Sequence, residues 1–152
     1  IKSDLYELGI ENFLPQEEQV RETPVGRKKM RVLLMHGLIV IRTDKATSFS
    51  LINDHSLNIV YLKDIEGRHS LIVPDKQMQD FMFLLDFSTG SVEVLNKGIK
   101  RGDRVRVIKG PLQGLEGELV RLKNHKRVII RLDGVASIAT SYIPSSFLER
   151  IE

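Results

Sequence analysis

The 152-residue sequence has no cysteine. This excludes disulfides, thiolate metal centres and cysteine nucleophiles, and it fits a cytoplasmic protein. Long apolar runs are missing too. The longest, from Val32 to Ile41, is broken by His36 and Gly37 and is about half of what a membrane span needs. No signal-peptide pattern is present, so no membrane partner is expected. The four histidines, His36, His55, His69 and His125, are scattered without ligand-like spacing to carboxylates, which argues against a bound metal. No Walker loop, dinucleotide fingerprint or nucleophile motif occurs. The sequence therefore reads as a non-enzyme without a cofactor.

What is present is an uneven charge. Net charge is +3, yet eleven Lys and Arg between Lys97 and Leu132 face only Asp103, Glu116 and Glu118. That stretch carries +8 and the remainder −5. Such asymmetry suggests two units with different partners, the basic one suited to nucleic acid or an acidic protein surface.

The pattern along the chain agrees. Ile1, Leu5 and Leu8 sit at helical spacing and Gly9 is a C-terminal stop. Ile10 to Leu14 reads as a short strand. Residues 16 to 29 are polar, with turn signals at Thr23-Pro24 and Gly26, and read as an exposed hairpin or loop with Arg27, Lys28 and Lys29 at its tip. Met30 to Arg42 reads as one strand buried on both faces, with a bend at Gly37. A short helix is expected within 43–54, a strand at 58–63 and a turn at 64–69. Pro74-Asp75 opens a helix whose Met78, Phe81, Met82 and Leu85 make one apolar face. Residues 88 to 100 lack periodicity and read as a linker.

Beyond the linker come short strands: Arg104 to Ile108, Glu118 to Lys123, Arg127 to Leu132, Val135 to Tyr142 and Phe147 to Ile151. Turns fall at Asn124-His125 and Asp133-Gly134. Five short strands suggest a small closed barrel, since closure protects the edges. Gly102 and Asp103 lead into the first barrel strand, which runs on into a glycine-rich loop with Gly110, Pro111, Gly114 and Gly117. Alternating valines followed by this glycine spacing closely resemble the KOW motif of NusG-type elongation factors and some ribosomal proteins. The earlier half resembles the N-terminal domain of NusG, through Gly-Ile-Glu-Asn-Phe-Leu-Pro at 9–15, the basic hairpin, the strand through Gly37 and Val-Pro-Asp-Lys-Gln-Met at 73–78. The closing run 139–151 resembles specialised UpxY-like paralogues.

The resemblance implies an α+β N-terminal domain at 1–88, with an antiparallel sheet and helices, lacking its first strand and most of its first helix. A linker at 89–100 and a small all-β, SH3-like five-stranded barrel at 101–152 would follow. The chain begins at Ile1 rather than Met, which reads as upstream sequence lost. The implied function is transcription elongation or antitermination. RNA polymerase would be bound through Met35, His36, Gly37 and Leu38, where the family usually has Phe-Pro-Gly-Tyr. The barrel would recruit Rho or a small-subunit ribosomal protein. The alternative is a ribosome-associated or RNA-binding KOW protein. Arg27, Lys28, Lys29 and Arg31 are candidate DNA contacts within an elongation complex. Alternation along the strands places Leu119, Arg121, Arg127, Ile129 and Arg131 on one outer face, an apolar pair ringed by cations suited to a protein partner.

Overall fold

The computed structural model describes residues 1–64, 66–88, 92–95 and 101–151. In chain order the elements are α1 (Lys2–Glu7), β1 (Glu11–Phe13), β2 (Gln16–Thr23), β3 (Gly26–Leu33), β4 (Val40–Arg42), α2 (Lys45–Asn53), α3 (Asp75–Phe87), β5 (Glu93–Leu95), β6 (Asp103–Val107), β7 (Glu116–Leu122), β8 (His125–Leu132), β9 (Ala136–Ala139) and β10 (Leu148–Arg150). No described helix is long and apolar enough to cross a membrane. The chain divides into two compact units. One comprises residues 1–16 and 33–71, the other residues 17–32 and 72–152.

In the first unit, α1 ends as its sequence dictates. Gly9 takes φ +71°. The Gly9 N–H donates to Tyr6 O and the Ile10 N–H to Leu5 O, the Schellman arrangement that satisfies the last helical carbonyls. β1 and β4 pair antiparallel, with Asn12 opposite Ile41. Asp44 caps α2 by accepting from the Thr47 N–H at 2.7 Å. Leu5, Pro15 and Leu51 are its fully buried side chains among the described residues.

The apolar run Met30–Arg42 is not one buried strand. It is split between β3 and β4 by a turn through Met35–Gly37, with Gly37 at φ +76°. β3 pairs with β2 while β4 pairs with β1, and Met30 is exposed. The expected strand at 58–63 makes a single bridge, Lys63 to Ser70.

The second unit holds a six-stranded antiparallel sheet in the order β10-β6-β7-β8-β9-β5. Five of its strands come from residues 103–150. The sixth, β5, lies inside the expected linker and pairs with β9, Val94 opposite Ile138. The rest of that stretch, 89–91 and 96–100, lies outside the described residues. α3 packs against β8 and so belongs with this sheet, although the domain boundary expected at residue 88 would separate them. Its fully buried residues are Phe81 and Leu84, rotated from the expected face through Met78, Phe81, Met82 and Leu85. Gln77 lies on the same turn-spacing and exchanges two hydrogen bonds with Asp133.

The sheet's two faces differ in kind. One carries Val105, Val107, Val128, Ile130 and Ile138, all buried. The other carries Arg104, Arg106, Glu116, Glu118, Arg127, Ile129 and Arg131, as the cross-strand register shows.

Candidate functional site

β6 feeds a loop whose glycines each answer a separate requirement. Gly110 and Gly114 sit at positive φ, where a β-carbon is disfavoured. The Gly114 N–H closes the loop by donating to Val107 O at 2.8 Å. Gly117 faces Val105 across β6–β7, and a β-carbon there would lie 2.6 Å from Ile129 O and 2.7 Å from Val128 Cγ1. Gly102 is tighter still, its β-carbon position falling 2.0 Å from Leu119 O.

The charged face is wired by carboxylates. Glu118, only 6% exposed, accepts from the Gly102 N–H at 3.1 Å and from Arg131 Nε. Glu116 accepts from Arg106 Nε and Nη2, both at 3.2 Å, and Arg106 reaches on to Glu149. Lys76 of α3 joins Asp80 at 3.0 Å and Glu116 at 3.8 Å. Glu93 of β5 pairs with Arg127 at 2.7 Å and Lys123 at 3.6 Å. Arg150 pairs with Asp103. The basic segment therefore spends most of its described cations internally. Strand register brings distant acids opposite these cations, which the count of charges along the chain hides.

The hydrogen bond from Arg106 holds the Glu116 carboxyl below the ordinary glutamate range. Burial pushes Asp80 above the ordinary aspartate value, partly offset by Lys76. The signs oppose. A depressed carboxylate stabilises the fold above its unfolded pKa and loses that stabilisation as pH falls through its folded value. A raised one favours the fold at low pH and loses its contribution as pH rises through its folded value. Glu116→Gln is therefore expected to lower the melting temperature near neutral pH. The difference from wild type should shrink to nothing as pH falls below the glutamate range, and a pH series of thermal melts checks it. A pH-independent difference would mean that Glu116 acts through packing rather than charge.

The family model of the KOW motif matches residues 101–131, this strand–loop–strand segment. Residues 101–131 are a KOW motif. No curated protein and no solved structure matches the chain. The KOW motif thus covers β6, the glycine loop, β7 and nearly all of β8.

The structure distributes the other candidate residues as follows. Met35, His36, Gly37 and Leu38 form a turn, with His36 and Gly37 exposed and Met35 and Leu38 half-buried. Arg27, Lys28, Lys29 and Arg31 are exposed on β3, beside a Pro24–Val25 turn rather than at the tip itself. Of these, Arg27 approaches Glu22 at 3.9 Å.

The outer patch expected on the KOW strands is not assembled. The β7–β8 turn is Lys123–Asn124, one residue earlier than Asn124-His125, and pairs Leu122 with His125. That register puts Leu119 opposite Val128 and Val120 opposite Arg127. Leu119 and Arg121 therefore lie on the opposite face from Arg127, Ile129 and Arg131. Ile129 is 1% exposed, and Arg127 and Arg131 are held by Glu93 and Glu118. Glu93 and Glu118 were not legible as site residues, because their partners are set by strand pairing.

Proposed function

We propose that the chain is a non-enzymatic transcription elongation or antitermination factor of the NusG type, acting in the cytoplasm. Its N-terminal residues bind RNA polymerase through Met35–Leu38, and the segment carrying the KOW motif engages a second partner, Rho or a small-subunit ribosomal protein. The observation that carries the reading is the KOW motif at 101–131. It follows residues whose order resembles the NusG N-terminal domain: a basic exposed hairpin, then the apolar turn Met35–Leu38, then two helices. Binding needs no chemistry. A factor that prefers one state of the polymerase shifts its equilibrium by the difference in affinity alone. Arg27, Lys28, Lys29 and Arg31 supply phosphate affinity to nucleic acid in such a complex.

The test is capture of purified bacterial RNA polymerase by the full chain. Met35→Asp and Leu38→Asp are expected to weaken capture at least tenfold, because a charge placed in an apolar contact loses water without gaining a partner. Equal capture by wild type and both variants removes this surface from the reading.

The second reading is a ribosome-associated or RNA-binding KOW protein. The burial of Ile129 favours it, since the protein-contact patch that would have served Rho or a ribosomal protein is not at a surface. Co-sedimentation with ribosomal subunits, in the absence of polymerase capture, selects it.

A further inference from the structure

β2 and β3 form a two-stranded sheet by themselves. Each runs for eight residues, and a two-stranded ribbon has little stability alone in water. Its strands are not alike. β2 is the inner one: Gln16, Glu17 and Gln19 are half-buried, and the Glu17 carboxylate accepts from the Val92 N–H at 3.4 Å. β3 is the outer one, with every residue from Gly26 to Arg31 exposed. It pairs with β2 alone among the described residues. One edge of β3 therefore presents a row of N–H and C=O groups that no described strand covers.

The side chains along that strand alternate in kind. Successive residues of a strand point to opposite faces. Arg27, Lys29 and Arg31 share one face, and Lys28, Met30 and Val32 the other. The first face is cationic throughout. The second joins one cation to two apolar side chains, with Met30 38% exposed. Lysine on an edge normally keeps stray strands away. The same charge admits a strand of opposite sign, because opposite charges across a pairing are favourable and like charges are not. A phosphate backbone suits the ribbon less well. β2 sets Glu17, Glu18 and Glu22 beside the cations, and residues 16–33 contain no aromatic ring on which a base could stack. Glu22 stands 3.9 Å from Arg27.

We propose that the open edge of β3 takes an acidic extended segment of a partner protein as a third strand. Carboxylates at alternate positions of that segment meet Arg27, Lys29 and Arg31, and the apolar positions between them lie beside Met30 and Val32. Main-chain hydrogen bonds hold the segment, and its alternation selects it. The addition turns a ribbon that is marginal by itself into a three-stranded sheet. The inference goes beyond the transcription-factor reading. It gives the cations of β3 a protein strand to bind where that reading gave them phosphate, and it uses neither Met35 nor Leu38.

The test uses the full chain and fluorescence anisotropy with a labelled peptide of alternating glutamate and valine, as long as β3. The comparison probes are the same peptide N-methylated along its backbone, a peptide with its glutamates grouped at one end, and a single-stranded DNA of equal charge. The alternating peptide should bind and slow amide exchange in β3. N-methylation should weaken it about tenfold or more, since the strand hydrogen bonds are lost, and grouping the glutamates should weaken it as well. Arg27→Glu combined with Lys29→Glu and Arg31→Glu should weaken the acidic peptide about tenfold or more. The same variant should bind a peptide of alternating lysine and valine instead, a reversal that a misfolded protein cannot give. Met35→Asp should leave peptide binding unchanged, which separates this proposal from polymerase capture. Undiminished binding of the N-methylated peptide, no reversal of charge preference in the triple variant, or no binding of the alternating peptide each overturns the proposal. So does DNA bound more tightly than the alternating peptide, which returns these cations to nucleic acid.

Discussion

Gly117→Ala is expected to destabilise the second unit by about 3 kcal/mol, near the upper end of what overpacking costs. The reason is geometric. The new methyl would fall 2.6 Å from a carbonyl of β8, 2.7 Å from Val128 Cγ1 and 3.0 Å from Ile130 Cδ1. Val128 and Ile130 are themselves buried, so they have little room to move, and the carbonyl belongs to the strand that β7 must pair with. Gly114→Ala supplies the control. Its added carbon meets nothing within 4 Å, and its only difficulty is φ +98°, a backbone strain of about 1–3 kcal/mol. Chemical denaturation of both variants, followed by far-UV circular dichroism, separates collision from strain. A Gly117→Ala protein as stable as wild type would mean that β7 and β8 do not approach this closely.

Phe81→Ala should cost the same unit about 3–5 kcal/mol, the usual range for emptying a buried aromatic site. Phe81 and Leu84 are the two fully buried residues of α3, and α3 lies against β8, whose second face carries buried Ile129. A helix that merely preceded an independent KOW barrel would lose only its own order on this substitution. Here the loss should appear as faster amide exchange at Ile129 and Ile130. A fragment of residues 72–152 should accordingly fold cooperatively, whereas residues 101–152 alone should be much less stable. Equal stability of the two fragments would make α3 a passenger on the sheet.

Both expectations bear on what the amino-acid order reveals. The glycine spacing at 110, 114 and 117 was legible, because each position answers a local demand of turn or close approach. So was the end of α1 at Gly9, where the cap is built from neighbours in sequence. The face of α3 was less legible. Met78, Met82 and Leu85 satisfy helical periodicity as well as Leu84 does, and only packing on β8 selects Phe81 and Leu84. The run Met30–Arg42 misled for a related reason. Its composition suits a central strand, but a turn with Gly37 at positive φ interrupts it and β3 pairs with the polar β2.

The outer patch failed on parity. A two-residue turn at Lys123–Asn124 pairs odd-numbered residues of β7 with even-numbered residues of β8, so alternation within each strand was right while the matching of faces between them was not. The same register gathers Glu118 with Arg131 and leaves Arg121 facing Lys126. Strand β5 escaped notice because three residues, Glu93, Val94 and Leu95, carry too little pattern to be seen without their partner.

The strand order has a consequence for how the chain is made. β6, β7 and β8 each pair with the next strand in sequence, while β10 and β5 join at the two edges. The interior can therefore form as a meander while the chain emerges from the ribosome, because nearby pairings close the smallest loops. β5 cannot. It leaves the ribosome before β9 exists, and about forty residues must follow at roughly 5–20 per second before its partner is available. For those several seconds Val94 and an unpaired backbone stand open to other strands, until β9 arrives to pair with them.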